Sequence, residues 1–185
     1  MDMKKKAIRE LYFMQQCYAS LFSVSSKIQS CGDENFETIT SRQYMALIAI
    51  AHLSNENTTL NNIAKKLETT KQTASKLIAG LEKRSLVKTV SSEKDKRAIN
   101  VEITSDGNKA LIDNAEKSMY FLLDLFHEFN GEEIELFWNM LQKLYRFDGN
   151  AQDGFEEDAQ IHAGDKQTEM EENMLRELIR RRGKK

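Results

Sequence analysis

The sequence predicts a mainly α-helical fold: a helix-turn-helix followed by a two-stranded β-wing, embedded in a frame of longer helices. Three observations predict it. Two short amphipathic segments, "LNNIAKKL" (60–67) and "KQTASKLIAGLEKR" (71–84), are joined by three residues, the spacing of a helix-turn-helix. Directly after them, "LVKTV" (86–90) and "AINVEI" (98–103) carry strand patterning around a charged tip. The 185 residues contain no proline, which lets the flanking periodic stretches run as long helices.

In chain order, residues 4–31 place Ile8, Leu11, Tyr12, Tyr18, Leu21, Phe22, Val24 and Ile28 at roughly helical spacing. Gly32 suits the position just past the end of this helix. Ser41 is the expected cap of "RQYMALIAIAHL", which is apolar enough to require burial. Thr59 caps the next helix, with Leu60, Ile63, Ala64 and Leu67 on one face. Thr70 caps the following one, whose buried set is Ala74, Leu77, Ile78 and Leu81. In the wing, Ile99, Val101 and Ile103 are expected on the buried side and Asn100, Glu102 and Thr104 on the other. Thr104 opens a long helix with Leu111, Ala115, Met119, Leu122, Phe126 and Phe129 at three- and four-residue steps. In the last large helix of this unit, Ile134, Phe137, Leu141 and Leu144 are expected to face inward.

Residues 1–147 therefore form one unit, a winged helix at about 41–103 between helices at about 4–31 and 104–147. Those flanking helices carry more large apolar side chains than a small winged helix can cover, so a homodimer is expected. Residues 148–167 are polar, acidic and glycine-containing, and read as a linker. Residues 168–185 read as an amphipathic basic tail helix with Met170, Met174, Leu175 and Leu178 on one side. Acidic residues at its start and Arg180, Arg181 and Arg182 at its end suit the helix dipole. The tail is expected to be an accessory whose removal leaves dimerisation within a few-fold.

The net charge of −2 conceals a segregation. Residues 60–100 hold ten Lys/Arg against four Asp/Glu, whereas residues 101–147 hold four against nine. One basic block in an otherwise acidic chain is the footprint expected where a protein meets phosphates. No stretch reaches the length of a membrane span, and the start lacks the apolar core of a signal peptide, so a cytoplasmic protein is expected. Phosphate-cradling glycine loops, a His-Glu-x-x-His and a Gly-x-Ser-x-Gly are all absent, which argues against an enzyme. The two cysteines and three histidines form no metal-ligand pattern, and no cofactor is expected.

The residues from "TTLNNIAKKLETTKQTASKLIAGLEKRSLV" to "DKRAINVEITSDG" resemble the multiple-antibiotic-resistance regulator (MarR) family of winged-helix transcription factors. The carrying motif is Asp-x-Arg, a strand ending in Ile-Thr, then x-x-Gly, matched by Asp95, Arg97, Ile103, Thr104 and Gly107. The resemblance covers about residues 5–147. It departs at Ser85, where the family usually has glycine, and in a wing without the family's frequent proline; the tail has no counterpart. The resemblance implies a homodimer bound to double-stranded DNA at a palindromic operator. Each recognition helix would enter a major groove and each wing arginine an adjacent minor groove. It also implies a repressor relieved by a small-molecule effector or by thiol oxidation.

On the recognition helix, Lys71, Gln72, Thr73, Ser75 and Lys76 lie off the buried face and are the candidate DNA contacts. Lys65, Lys66 and Lys88 are phosphate candidates, as are Lys94 and Lys96 on the wing tip. Arg97 is the candidate minor-groove residue, and Asp95 its intramolecular support. Cys17, in "QQCYASLF", resembles the reactive cysteine of the family's hydroperoxide-sensing branch. No basic residue nearby would activate it, so a structural role is expected. A winged helix used only for protein interaction is the rival reading, against which the basic block stands.

Overall fold

The computed structural model describes residues 2–36, 38–53, 57–91, 99–150, 155 and 165–183. Their elements run α1 (Asp2–Asn35), α2 (Ser41–His52), α3 (Leu60–Lys66), α4 (Lys71–Lys83), β1 (Val87–Ser91), β2 (Ile99–Ile103), α5 (Ser105–Leu125) and α6 (Gly131–Tyr145). A 3-10 turn (Arg146–Asp148) follows α6, and the last helix is α7 (Asp165–Arg182). The architecture is the expected one, mostly helical with a single two-stranded antiparallel sheet among the described residues.

The core of the winged helix lies between α2, α3, α4, the sheet and the start of α5. Leu47, Ile63, Leu81, Val87, Val101 and Leu111 are its largest fully buried side chains. α2 is buried along much of its length, as its composition requires. Its Tyr44 hydrogen-bonds Ser118 of α5, and burial pushes the Tyr44 phenol above its ordinary range.

Two ends differ from the sequence reading. α1 continues through Gly32 to Asn35, and a Cβ at Gly32 would lie 3.0 Å from the Ser41 Cβ. Gly32 thus lies inside the helix, at a close approach of α1 to the start of α2, and is not a helix end. Thr40, not Ser41, caps α2: its hydroxyl accepts from Gln43 N at 3.2 Å, and Gln43 returns the bond to Thr40 N. The Ser41 hydroxyl instead ties the two helices together, reaching Gln29 O at 3.1 Å and Asp33 Oδ1 at 2.5 Å.

α3 and α4 both end in a residue with left-handed backbone, Glu68 (φ 47°) and Ser85 (φ 58°). Around Glu68, Thr69 N donates to Ala64 O at 2.9 Å and Glu68 N to Lys65 O at 3.0 Å. Around Ser85, Leu86 N donates to Leu81 O at 3.0 Å and Ser85 N to Glu82 O at 2.8 Å. Both are Schellman ends, formed without the glycine that would adopt them at no steric cost.

In the sheet, Val87 pairs with Ile103 and Ser91 with Ile99. The expected alternation holds at Val101 and fails at its neighbours. Asn100 is buried (6% exposed) and Ile99 is exposed (53%). The cause is a strand-like segment on the far edge of β2: Val101 N donates to Thr58 O at 3.0 Å, and Thr59 bridges Asn100. That segment covers Asn100, while Ile99 lies toward the wing tip, beyond the core.

The frame helices leave their apolar sides open. Ile8, Leu11, Tyr12, Tyr18, Phe22 and Val24 on α1 are exposed. On α6 the expected inward set is half-buried at Ile134 and Leu141 and exposed at Phe137 and Leu144. Among the described residues, nothing covers these faces. The tail behaves differently. α7 packs on α5, with Met174 buried and Arg181 Nη1 2.5 Å from Asp124 Oδ1.

Candidate nucleic-acid interface

The helix expected from the sequence to read DNA is α4. Thr70 caps it by accepting from Thr73 N at 3.1 Å, and Ala74, Ile78 and Leu81 anchor it in the core. Leu77, expected in the same set, is half-buried. Gln72, Lys76 and Lys83 fall at helical spacing on the side away from that anchor, all exposed. Lys71 and Ser75 are exposed on one flank. Thr73 is half-buried on the other, and its hydroxyl lies 2.9 Å from that of Thr70. Of the five sequence candidates on α4, four thus present their side chains to solvent, while Thr73 is engaged in the cap.

The wing is fastened to α4. Glu82 Oε1 accepts from Thr89 N at 3.2 Å and from Thr89 Oγ1 at 2.8 Å. Sequence reasoning missed this pair; a glutamate near a helix end and a threonine seven residues on carry no motif. Behind the wing, Thr104 Oγ1 accepts from Gly107 N at 3.0 Å and donates to Ser85 O at 2.7 Å. A Cβ on Gly107 would lie 2.0 Å from Leu86 O. The Ile-Thr-x-x-Gly motif therefore has a physical basis: threonine caps α5 and glycine lets α5 pass over the entry to β1. The tip at 92–98, with Lys94, Asp95, Lys96 and Arg97, lies outside the described residues.

The phosphate candidates divide. Lys65 is exposed. Lys66 corrects the sequence reading: it is buried (4% exposed), with its Nζ 5.7 Å from the centroid of the Phe155 ring. Phe155 also meets His52 edge-on at 5.5 Å. A lysine held under an aromatic ring satisfies its charge against the ring face and is withdrawn from the surface. Lys88 is exposed but pairs across the ladder with Glu102 at 2.8 Å. Cys17 is exposed on α1 rather than packed in a core, and Cys31 is partly exposed. Among the described residues no group of His, Cys, Asp and Glu could hold a metal ion, and no helix is long and apolar enough to cross a membrane.

A family profile described as MarR family matches residues 38–98, which span α2 to the wing. An uncharacterized HTH-type transcriptional regulator of Bacillus subtilis (strain 168), YsmB, is 28% identical over 127 residues, 68% of this chain and 86% of that protein. The crystal structure of an S. aureus MepR–DNA complex superposes with a TM-score of 0.63 at 27% identity, covering 69% of this chain and 96% of that one. A MarR/EmrR family transcriptional regulator from Acinetobacter sp. ADP1 shares the fold, with a TM-score of 0.65 at 16% identity over 73% of this chain and 96% of that one. With its helix-turn-helix, its wing and the threonine–glycine pair behind it, the chain matches the MarR family over residues 38–98 and is similar beyond that segment to winged-helix transcriptional regulators of this family.

Proposed function

We propose that the protein is a homodimeric, sequence-specific regulator acting in the cytoplasm as a repressor at a palindromic operator and relieved by a small-molecule effector. The observation that carries the DNA-reading part is the exposed row Gln72–Lys76–Lys83 on a helix whose opposite side is anchored in the core. The wing is tied to that helix by the Glu82–Thr89 pair, so helix and wing would meet DNA as one body. The MepR–DNA complex supports the same reading at 27% identity. The dimer is supported by the open apolar sides of α1 and α6. The repressor role and effector relief follow the family resemblance.

Sedimentation and duplex-DNA titration over a salt series test the proposal. A dimer is expected, with affinity falling steeply as salt rises. Lys76→Ala is expected to weaken binding to every sequence, or to relax preference if Lys76 reads a base. Arg97→Ala is expected to cost about 1–3 kcal/mol. Its penalty should be larger where A/T-rich flanks narrow the minor groove. Asp95→Ala is expected to weaken binding too, by loosening the support of Arg97. A monomer indifferent to DNA and salt would leave the protein-interaction reading in its place.

A further inference from the structure

We propose that α7 is part of the homodimer interface: seated on α5 of its own chain, it presents Leu175, Leu178 and Ile179 to a second copy. The inference rests on the dimer proposed above and adds to it an element outside the frame of α1, α5 and α6.

α7 is built into the fold rather than trailing from it. Its Met174 is 6% exposed. Arg181 reaches 57 residues back in sequence to Asp124, and Arg182 donates to the carbonyl of Phe129. Glu177 holds both Arg180 (2.6 Å) and Arg181 (2.8 Å) in place. α5 has no basic residue in its own last turn, so α7 supplies cations to the negative end of the α5 dipole. The arginine cluster is thereby engaged within the protein.

The apolar side of α7 is wider than its seat. With about 100° per residue, Leu178 lies about 40° from Met174 around the helix, Leu175 about 100° and Ile179 about 140°. α5 covers the Met174 edge of this arc, while Leu175 and Ile179 are 59% and 69% exposed. The open edge joins other apolar surface. Arg182 binds at Phe129, whose ring stacks with that of Phe137 at 6.3 Å, and both rings are themselves exposed. α7 and the α5–α6 corner thus form one surface, continuous with the faces that the proposed dimer would cover. A second copy brings apolar faces of the same kind, on α1 and α6, and is the occupant this continuity favours.

The test is the double variant Leu175→Glu/Ile179→Glu in the full chain, which charges the open edge and leaves Met174, Glu177 and Arg181 untouched. Sedimentation equilibrium over a dilution series is expected to show the dimer dissociation constant raised at least tenfold. Helix content and thermal unfolding of the dissociated chain should be unchanged. Truncation after Phe147 is expected to weaken the dimer at least as far, the reverse of the sequence expectation that the tail is an accessory. A double variant that dimerises as tightly as wild type overturns the inference and leaves the dimer standing. A wild-type chain that is itself monomeric removes the dimer reading and this inference with it. Should the glutamate pair disturb folding, Leu175→Gln/Ile179→Gln gives the same comparison with a milder change, and an unaltered dissociation constant there counts equally against the interface role.

Discussion

Gly107, Ser85 and Cys17 show how much one side chain carries in this fold. A methyl group at Gly107 would overlap the Leu86 carbonyl at 2.0 Å and lie 2.8 Å from Ile103 Cγ2, and the Leu86 backbone has little room to yield. Gly107→Ala is therefore expected to destabilise by about 2–3 kcal/mol, the cost of overpacking at a rigid contact, read as a fall in the thermal midpoint. Ser85 is the opposite case, a side chain where glycine would serve better. Its φ of 58° lies in the region that costs an L-residue about 1–2 kcal/mol, against about 0.5–1 kcal/mol of chain entropy that glycine forfeits. Ser85→Gly is expected to raise stability by about 0.5–1 kcal/mol on denaturant unfolding, with DNA affinity retained. For Cys17, no Lys or Arg lies within one turn on α1, and the thiol is exposed. Hydroperoxide is expected to leave DNA affinity unchanged, and Cys17→Ser to match wild type. Peroxide-driven release of DNA that disappears in this variant would establish the sensing role instead.

At the scale of elements, α7 is expected to loosen in acid. The Arg180 and Arg181 guanidiniums hydrogen-bonded to Glu177 hold its carboxyl at about 2, below the ordinary 4.5. Asp124 of α5 faces the same Arg181. A carboxyl with a lowered folded-state pKa stabilises the folded form above its unfolded value, and that contribution is lost as pH falls from about 4.5 toward 2. Amide exchange in residues 172–182, corrected for the intrinsic rate, is expected to rise over that window while α2 stays protected. Glu177→Gln should abolish the acid-dependent part of the rise. No change in wild type would mean that Met174 and the Arg182–Phe129 contact seat the helix without help from Glu177. At the same scale, the helix-turn-helix was plain in the sequence because Thr59 and Thr70 caps and four-residue apolar spacing are local signals, and the structure has both caps in place.

Across the whole molecule, the division of labour is spatial. The winged helix closes its own core, while α1 and α6 leave theirs open. Specific contact with a palindrome needs two reading heads at a set spacing, which depends on how the open faces meet. A chain whose frame helices were clipped by substitutions such as Phe22→Glu is expected to keep the winged-helix fold yet lose tight operator binding. The check is helix content and sedimentation alongside DNA titration.

The local rules of the chain determined the element order, the caps at Thr59, Thr70 and Thr104, and the polar row on α4. Each depends on residues within a turn or two of one another, where periodicity and side-chain capping act. Only the tertiary structure decided that Lys66 lies under Phe155 and that Asn100 is covered by the Thr58–Thr59 segment. The same holds for the closure of α1 on α2 at Gly32 and the seating of the tail arginines on α5. These are contacts between residues on different elements, most of them far apart in sequence. No local propensity encodes them, because burial and charge pairing are set by whichever surface the folded chain brings alongside.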